Sequence, residues 1–263
     1  MLFIPKKATD RFIKESGNFQ KILRAAKDRD VNESDTVTII TDILSDILGY
    51  DKYAEITSEL AIRGTFCDLA IKLDGNIKYI IEVKAIGLDL KENHLKQAVN
   101  YGANHGVPWV VLTNGIFWEL YRIKFERPIS SDLVLAFNFL ELNQRKGEDQ
   151  EKLFLLSKEG ISKAAVEVYH EHIQSVNRFA IAVLITTDAV VEVIRRELRR
   201  ITPDTKVTKD EIKKILNGEV LKRDVIEGEE AKKAMSRIRK ATGKLLRKVA
   251  KQNKPLTPPE STL

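Results

Sequence analysis

The apolar positions of this chain change period several times, and each change marks an element. FCDLAIKL (66–73) and IKYIIEVKA (77–85) are rich in Ile, Val, Phe and Tyr, with Asp74-Gly75-Asn76 between them. β-branched and aromatic residues suit strands, and Asp-Gly tolerates the positive φ of a tight turn, so the pattern predicts an antiparallel hairpin. Upstream, Val37, Ile40, Leu44, Ile47 and Leu48 recur at helical spacing, with Asn32 placed as N-cap and Gly49 as the stop. A short helix is predicted around Phe19, Ile22, Leu23 and Ala26, and a strand near Glu55 to Arg63. HLKQAVNY (94–101) reads as a helix, PWVVLTNGIFWELYRIKF as a second hairpin turning at Asn114-Gly115, and DLVLAFNFLEL as a last apolar segment.

NQRKGEDQ (143–150) is polar and contains glycine, so it is expected to be a linker dividing the chain near residue 145. Beyond it the period is helical. ISKAAVEVYHEHIQSVNRFAIAVLI and DAVVEVIRRELRRI predict one long helix, or two broken at Thr186-Thr187 with a hydroxyl capping the second. Thr208 and Glu211 form a capping box for the next helix, which Asn217-Gly218 should close. KPLTPPESTL, at the carboxy terminus, is expected to be disordered. The expected organisation is an α/β domain over 1–145, a helical basic domain over 150–254 and a tail over 255–263.

Side chains alternate across a strand, so Glu82 and Lys84 point the same way, on the face of Ile80, while Asp68 shares a face with Ala70. If the hairpin pairs, Asp68, Glu82 and Lys84 converge. Charged residues inside an apolar strand are costly unless they find partners. A structural salt bridge is one explanation. The other is chemistry: Asp68 and Glu82 suit Mg²⁺, which takes oxygen ligands and keeps several waters, with Mn²⁺ as a substitute. Lys84 can orient an attacking water and offset negative charge as a phosphodiester is hydrolysed.

Gln97, on the following helix, can hydrogen-bond a water or a phosphate oxygen, although a surface glutamine is the plain alternative. Tyr101, one turn on, shares its face and serves equally as a packed side chain. Glu33 falls one turn before Val37 on the inward face. A first-turn carboxylate can also simply complement the helix dipole.

These residues resemble the PD-(D/E)xK nuclease superfamily, and within it the amino-terminal nuclease domain of type I restriction enzyme motor subunits. The resemblance rests on Asp68, the Glu82-Val83-Lys84 triplet, and Gln97 with Tyr101 four residues later, and it covers roughly residues 30 to 142. Cys67 stands where the superfamily's name has proline. The resemblance implies a restriction-endonuclease-like mixed sheet flanked by helices, followed here by a helical carboxy-terminal domain. It also implies a metal-dependent DNA endonuclease acting against foreign DNA, with Glu33 reaching the metal directly or through water.

Composition sets the outer bounds. The 263 residues contain no apolar run of transmembrane length and no signal pattern, which leads to the expectation of a cytoplasmic protein without a membrane partner. The single cysteine, Cys67, excludes an internal disulfide and is expected in the core. Histidine ligation is not expected: His170 and His172 do not face each other on a helix, and His94 and His105 flank the Gln97 helix without a carboxylate pattern. Gly243-Lys244 lacks the rest of a phosphate-binding loop, so the ATPase motor of the longer type I subunits is expected to be absent.

The net charge is +6, yet residues 231–254 contain ten Lys or Arg and no acid, with Ala234, Met235, Ile238, Ala241, Leu245 and Val249 at helical spacing. Such a basic amphipathic helix is a solvated face by default, a membrane-surface anchor, against which the lack of Trp or Phe counts, or a stripe for phosphates, with Lys232, Arg239, Lys240 and Arg247 as candidate contacts. The leading expectation is a Mg²⁺-dependent DNA endonuclease. An RNase on the same scaffold and a non-catalytic nucleic-acid-binding or assembly subunit remain alternatives, and a motor or specificity subunit or a second copy remain open as partners.

Overall fold

The computed structural model describes residues 2–62 and 65–252, with residues 59–62, 65–66 and 245–252 described by their backbone alone. The expected disordered tail at 255–263 and Arg63 lie outside the described residues. Two compact units divide the chain, Met1–His170 and Glu171–Leu263.

The first unit opens with α1 (Lys6–Asp28), which buries Ala8, Phe12, Ser16, Phe19, Leu23 and Ala26. That stripe of small and apolar residues is unbroken, so the helix is longer than the one expected around Phe19. Next, α2 (Glu33–Asp42) starts at Asn32, whose side chain accepts the Asp35 N–H, and runs into a π-helical turn at Ile43–Ile47. Gly49 ends it at φ +84°, with the Arg11 guanidinium so close that a Cβ there would lie 2.6 Å from it. Arg11 Nε donates to Ile47 O, which ties α1 to this terminus.

Six strands follow in sheet order: β1 (Ile56–Ile62), β2 (Thr65–Leu73), β3 (Asn76–Val83), β4 (Trp109–Thr113), β5 (Phe117–Lys124) and β6 (Ser130–Asn138). The β2–β3 turn is the expected one, with Asp74 at φ 51° and Gly75 at φ 75°, the left-handed pair that matches the twist of a two-residue hairpin. All neighbouring strands are antiparallel except β3 and β4, which pair in parallel, Glu82 opposite Leu112. Parallel neighbours need a crossover, and α3 (Glu92–His105) supplies it. The sheet is therefore mixed, with helices against it.

The expected linker is not a boundary. Gly147–Leu156 forms α4, whose acidic first turn, Glu148 and Asp149, precedes four buried residues, Leu153 to Leu156. Tyr50 Oη donates to Leu156 O at 2.6 Å and Tyr79 Oη to Leu155 O at 3.2 Å. The polar run is a turn plus a helix start. The first unit thus continues through α5 (Lys158–Ser162) and into α6 (Ala165–Ser175).

In the second unit the expected long helix is divided further. Asn177 caps α7 (Arg178–Ile185), and α8 (Asp188–Ile201) follows the expected break. The threonines there do not cap α8 with their hydroxyls; Thr187 Oγ1 donates back to Leu184 O, and Thr186 Oγ1 to Val183 O. Thr208 does cap α9 (Lys209–Ile215) through the Glu211 N–H. Asn217-Gly218 lies inside a π-helical turn, Leu216–Val220, so that stretch ends later than expected. After α10 (Arg223–Ile226) comes α11 (Glu229–Gln252), the basic helix.

Candidate active site

Hairpin register brings the acids together. Pairing runs from Leu73 opposite Asn76 to Leu69 opposite Ile81, and just beyond it the Val83 N–H donates to Asp68 Oδ2 at 2.7 Å. A carboxylate thus satisfies a backbone donor at the hairpin's end, which holds Asp68 beside the Glu82-Val83-Lys84 triplet.

Glu82 is fully buried and Lys84 nearly so. Lys84 Nζ donates to Glu82 Oε1 at 2.8 Å and lies 3.5 Å from Glu33 Oε2. The other Glu82 oxygen, Oε2, is buried with no hydrogen-bond partner. Burial pushes the Glu82 carboxyl up from 4.5 to about 7; Lys84 opposes this, and Asp68 and Glu33 reinforce it. Burial works against the Lys84 charge, but Glu82, Asp68 and Glu33 together outweigh it and hold the ammonium above its ordinary value.

Glu33 is half exposed and, with Ser34, Val37, Ser58 and Asp68, lines a cavity of about 210 Å³. Four of the expected residues therefore converge: Asp68, Glu82, Lys84 and Glu33. Gln97 is exposed and donates through Nε2 to Tyr101 Oη at 3.4 Å. The Tyr101 side chain is buried in a cluster with Cys67, Ala70, Ile80, Ala98 and Val110, so it packs α3 on the sheet while its hydroxyl receives Gln97. Cys67 is buried, as expected.

Among the described residues no group of three or more His, Cys, Asp or Glu could by itself hold a metal ion. Magnesium does not need one, since it binds through one or two carboxylates and keeps its waters. A buried carboxylate oxygen without a partner, beside a second carboxylate, fits that demand. Asp68 and Glu82 are thus a suitable pair, with Glu33 nearby.

Residues 39–131 match the family model of the type I restriction enzyme R protein N terminus. The likeness read from the motifs is shown over this stretch. It spans roughly a third of the chain and includes Asp68, Glu82, Lys84, Gln97 and Tyr101. Glu33 falls just before the stretch similar to the type I restriction enzyme R protein N terminus, and the second unit lies wholly outside it. No curated protein and no solved structure matches the chain.

His94, set aside on sequence grounds, is half-buried in the first turn of α3 and accepts the Lys91 N–H through Nδ1 at 3.3 Å. Burial, then the Lys84 and Lys91 charges, hold its imidazole below the ordinary value against a weaker pull from Glu33. The spacing of His94, Gln97 and Tyr101, which puts all three on one helix face, was the signal that could have singled it out.

The four candidate phosphate contacts fall on α11. Lys232, Arg239 and Lys240 are exposed, and Lys232 pairs with Glu229 at 2.8 Å. The Arg247 side chain lies outside the described residues.

Proposed function

We propose that the protein hydrolyses phosphodiester bonds of DNA with a divalent cation, Mg²⁺ or Mn²⁺, held by Asp68 and Glu82. The observation that carries this reading is the divided Glu82 carboxylate: one oxygen on Lys84, the other buried without a partner. A buried acceptor left unsatisfied costs about 1–3 kcal/mol, a penalty that a bound cation removes. When bound, the cation supplies Lewis-acid chemistry and a more acidic water.

The chain's own residues do the rest. Asp68, fixed by the Val83 N–H, holds the position of the second ligand. Lys84, kept charged by three carboxylates, sits where its ammonium can hold the attacking water and offset negative charge as the phosphorus centre becomes crowded. Gln97 offers an amide to a phosphate oxygen or water, braced by Tyr101. The likeness to the type I restriction enzyme R protein N terminus supports a role in restriction of foreign DNA, in the cytoplasm, with a motor or specificity subunit as partner.

The test is incubation of the purified protein with plasmid, single-stranded DNA and RNA, in Mg²⁺ and in EDTA. Cleavage of DNA in Mg²⁺ alone is the expected result. Cleavage of RNA in preference to DNA would reassign the substrate, and binding without cleavage of any of the three would leave a non-catalytic subunit.

A further inference from the structure

Helix α3 runs back against β3, because it connects two parallel strands, and its rise can be matched to theirs. A Cβ on Gly102, next to Tyr101, would lie 2.9 Å from Val110, which pairs with Ile80, and Tyr101 packs in one cluster with both, so this part of the helix stands at the level of Ile80. A helix climbs about 1.5 Å per residue and a strand about 3.3 Å. Gln97, four residues before Tyr101, therefore stands about 6 Å further along, level with Glu82. His94, seven residues before Tyr101 and on the same face, stands about 10 Å along, at the level of Val83 and Lys84. The interaction of His94 with the charges of Lys84 and Glu33 agrees with that placement.

The imidazole has one nitrogen occupied. Nδ1 accepts the Lys91 N–H, which fixes the neutral tautomer with its proton on Nε2. No hydrogen bond of Nε2 appears among the described residues. The group is half-buried, and the lowered affinity for a second proton keeps it a neutral donor near pH 7. A neutral N–H beside an ammonium adds a directed hydrogen bond without another charge to neutralise.

We propose that His94 is a substrate-binding residue whose Nε2–H donates to a non-bridging phosphate oxygen of the nucleic-acid strand held beside Lys84. This inference rests on the proposed phosphodiesterase function and deepens it. It extends the Lys84 and Gln97 contacts by one turn of α3 and makes the face of that helix, rather than Gln97 alone, the wall that receives the backbone.

Three variants separate this role from simple helix capping. His94→Asn keeps a short side-chain oxygen to accept the Lys91 N–H but has nothing at the position of Nε2. His94→Gln places an amide donor near the Nε2 position, and His94→Ala removes both. Each is measured against wild type for cleavage of a short labelled DNA duplex in Mg²⁺ and for binding of that duplex in Ca²⁺, with thermal melting as a control. The expected result is a roughly ten- to hundredfold loss of affinity and of kcat/KM in the Asn and Ala variants, the range of a hydrogen bond to a charged group. The Gln variant should recover most of it.

Wild-type affinity in His94→Asn, or a His94→Gln as defective as His94→Ala, would overturn the proposal whether or not the protein cleaves. A wild type that binds the duplex and cleaves no nucleic acid in Mg²⁺ would instead overturn the phosphodiesterase function, while the binding series still decides whether His94 touches the strand.

Discussion

Glu82 shows how one residue can be unfavourable for the fold and useful for the site. Its carboxyl is pushed up from 4.5 to about 7, first by burial. The folded state therefore keeps the Glu82 proton to a higher pH than the unfolded chain does. Stability from this group is complete below about pH 4.5 and is lost as pH rises toward 7. In EDTA, Glu82→Gln should consequently be more stable than wild type above pH 7, by roughly 1–3 kcal/mol, and no more stable at pH 4. Chemical denaturation at both pH values checks this, and a lower midpoint for Glu82→Gln at pH 8 would refute it. Cleavage should move the other way. Asp68→Ala, Glu82→Ala and Lys84→Ala should each lose at least about a hundredfold in Mg²⁺-dependent rate while remaining folded, because each removes a charge that the proposed chemistry requires. Gln97→Ala should be milder. Undiminished activity in any of the first three would remove that residue from the mechanism. Their convergence was legible in the sequence, since strand alternation and a two-residue turn determine which side chains face one way. The unpartnered Glu82 oxygen was not, because it depends on which groups surround it, and no local pattern encodes that.

At the scale of elements, legibility followed the strength of local signals. Asp74-Gly75 and Asn32 have one favourable use each, a left-handed turn and an N-cap, and both are used so. The linker expected at 143–150 misled because a helix's first turn is itself polar; Glu148 and Asp149 complement the α4 dipole, and the apolar part follows only at Leu153. Burying Leu153, Phe154, Leu155 and Leu156 at about 1.5–3 kcal/mol each amounts to roughly the net stability of an ordinary domain. Their loss should therefore be decisive. A fragment of residues 1–176, which keeps α4 to α6, should melt cooperatively with native tryptophan signals, while one ending at residue 145 should not. A cooperative melt for the shorter fragment would restore the boundary at the polar run. Tyr79, whose hydroxyl reaches Leu155 O, explains the difference: α4 closes over β3, the strand that carries Glu82 and leads into Lys84.

Charge divides the whole molecule much as its contacts do. The first unit holds 23 Lys or Arg against 25 Asp or Glu, and the second 21 against 13, so excesses of −2 and +8 underlie the total of +6. Among the described residues no helix is long and apolar enough to cross a membrane, and the positive excess of the second unit has the sign that phosphates attract. Within α11 the contributions are unequal. Lys232 already pairs with Glu229, whereas Arg239 and Lys240 are exposed further along the helix. Replacing Lys232, Arg239, Lys240 and Arg247 with Gln keeps the apolar stripe and removes four positive charges. If those charges meet phosphates, DNA affinity should fall and its logarithmic dependence on salt should flatten by up to about 0.9 per lost contact. Lys232 should contribute least, since an exposed ion pair with Glu229 must be given up first. Cleavage of a short duplex at saturating concentration should persist, because Asp68, Glu82 and Lys84 all belong to the first unit. Fluorescence titrations from low to moderate salt make the comparison, and a slope equal to wild type would mean that the basic face of α11 is merely solvated.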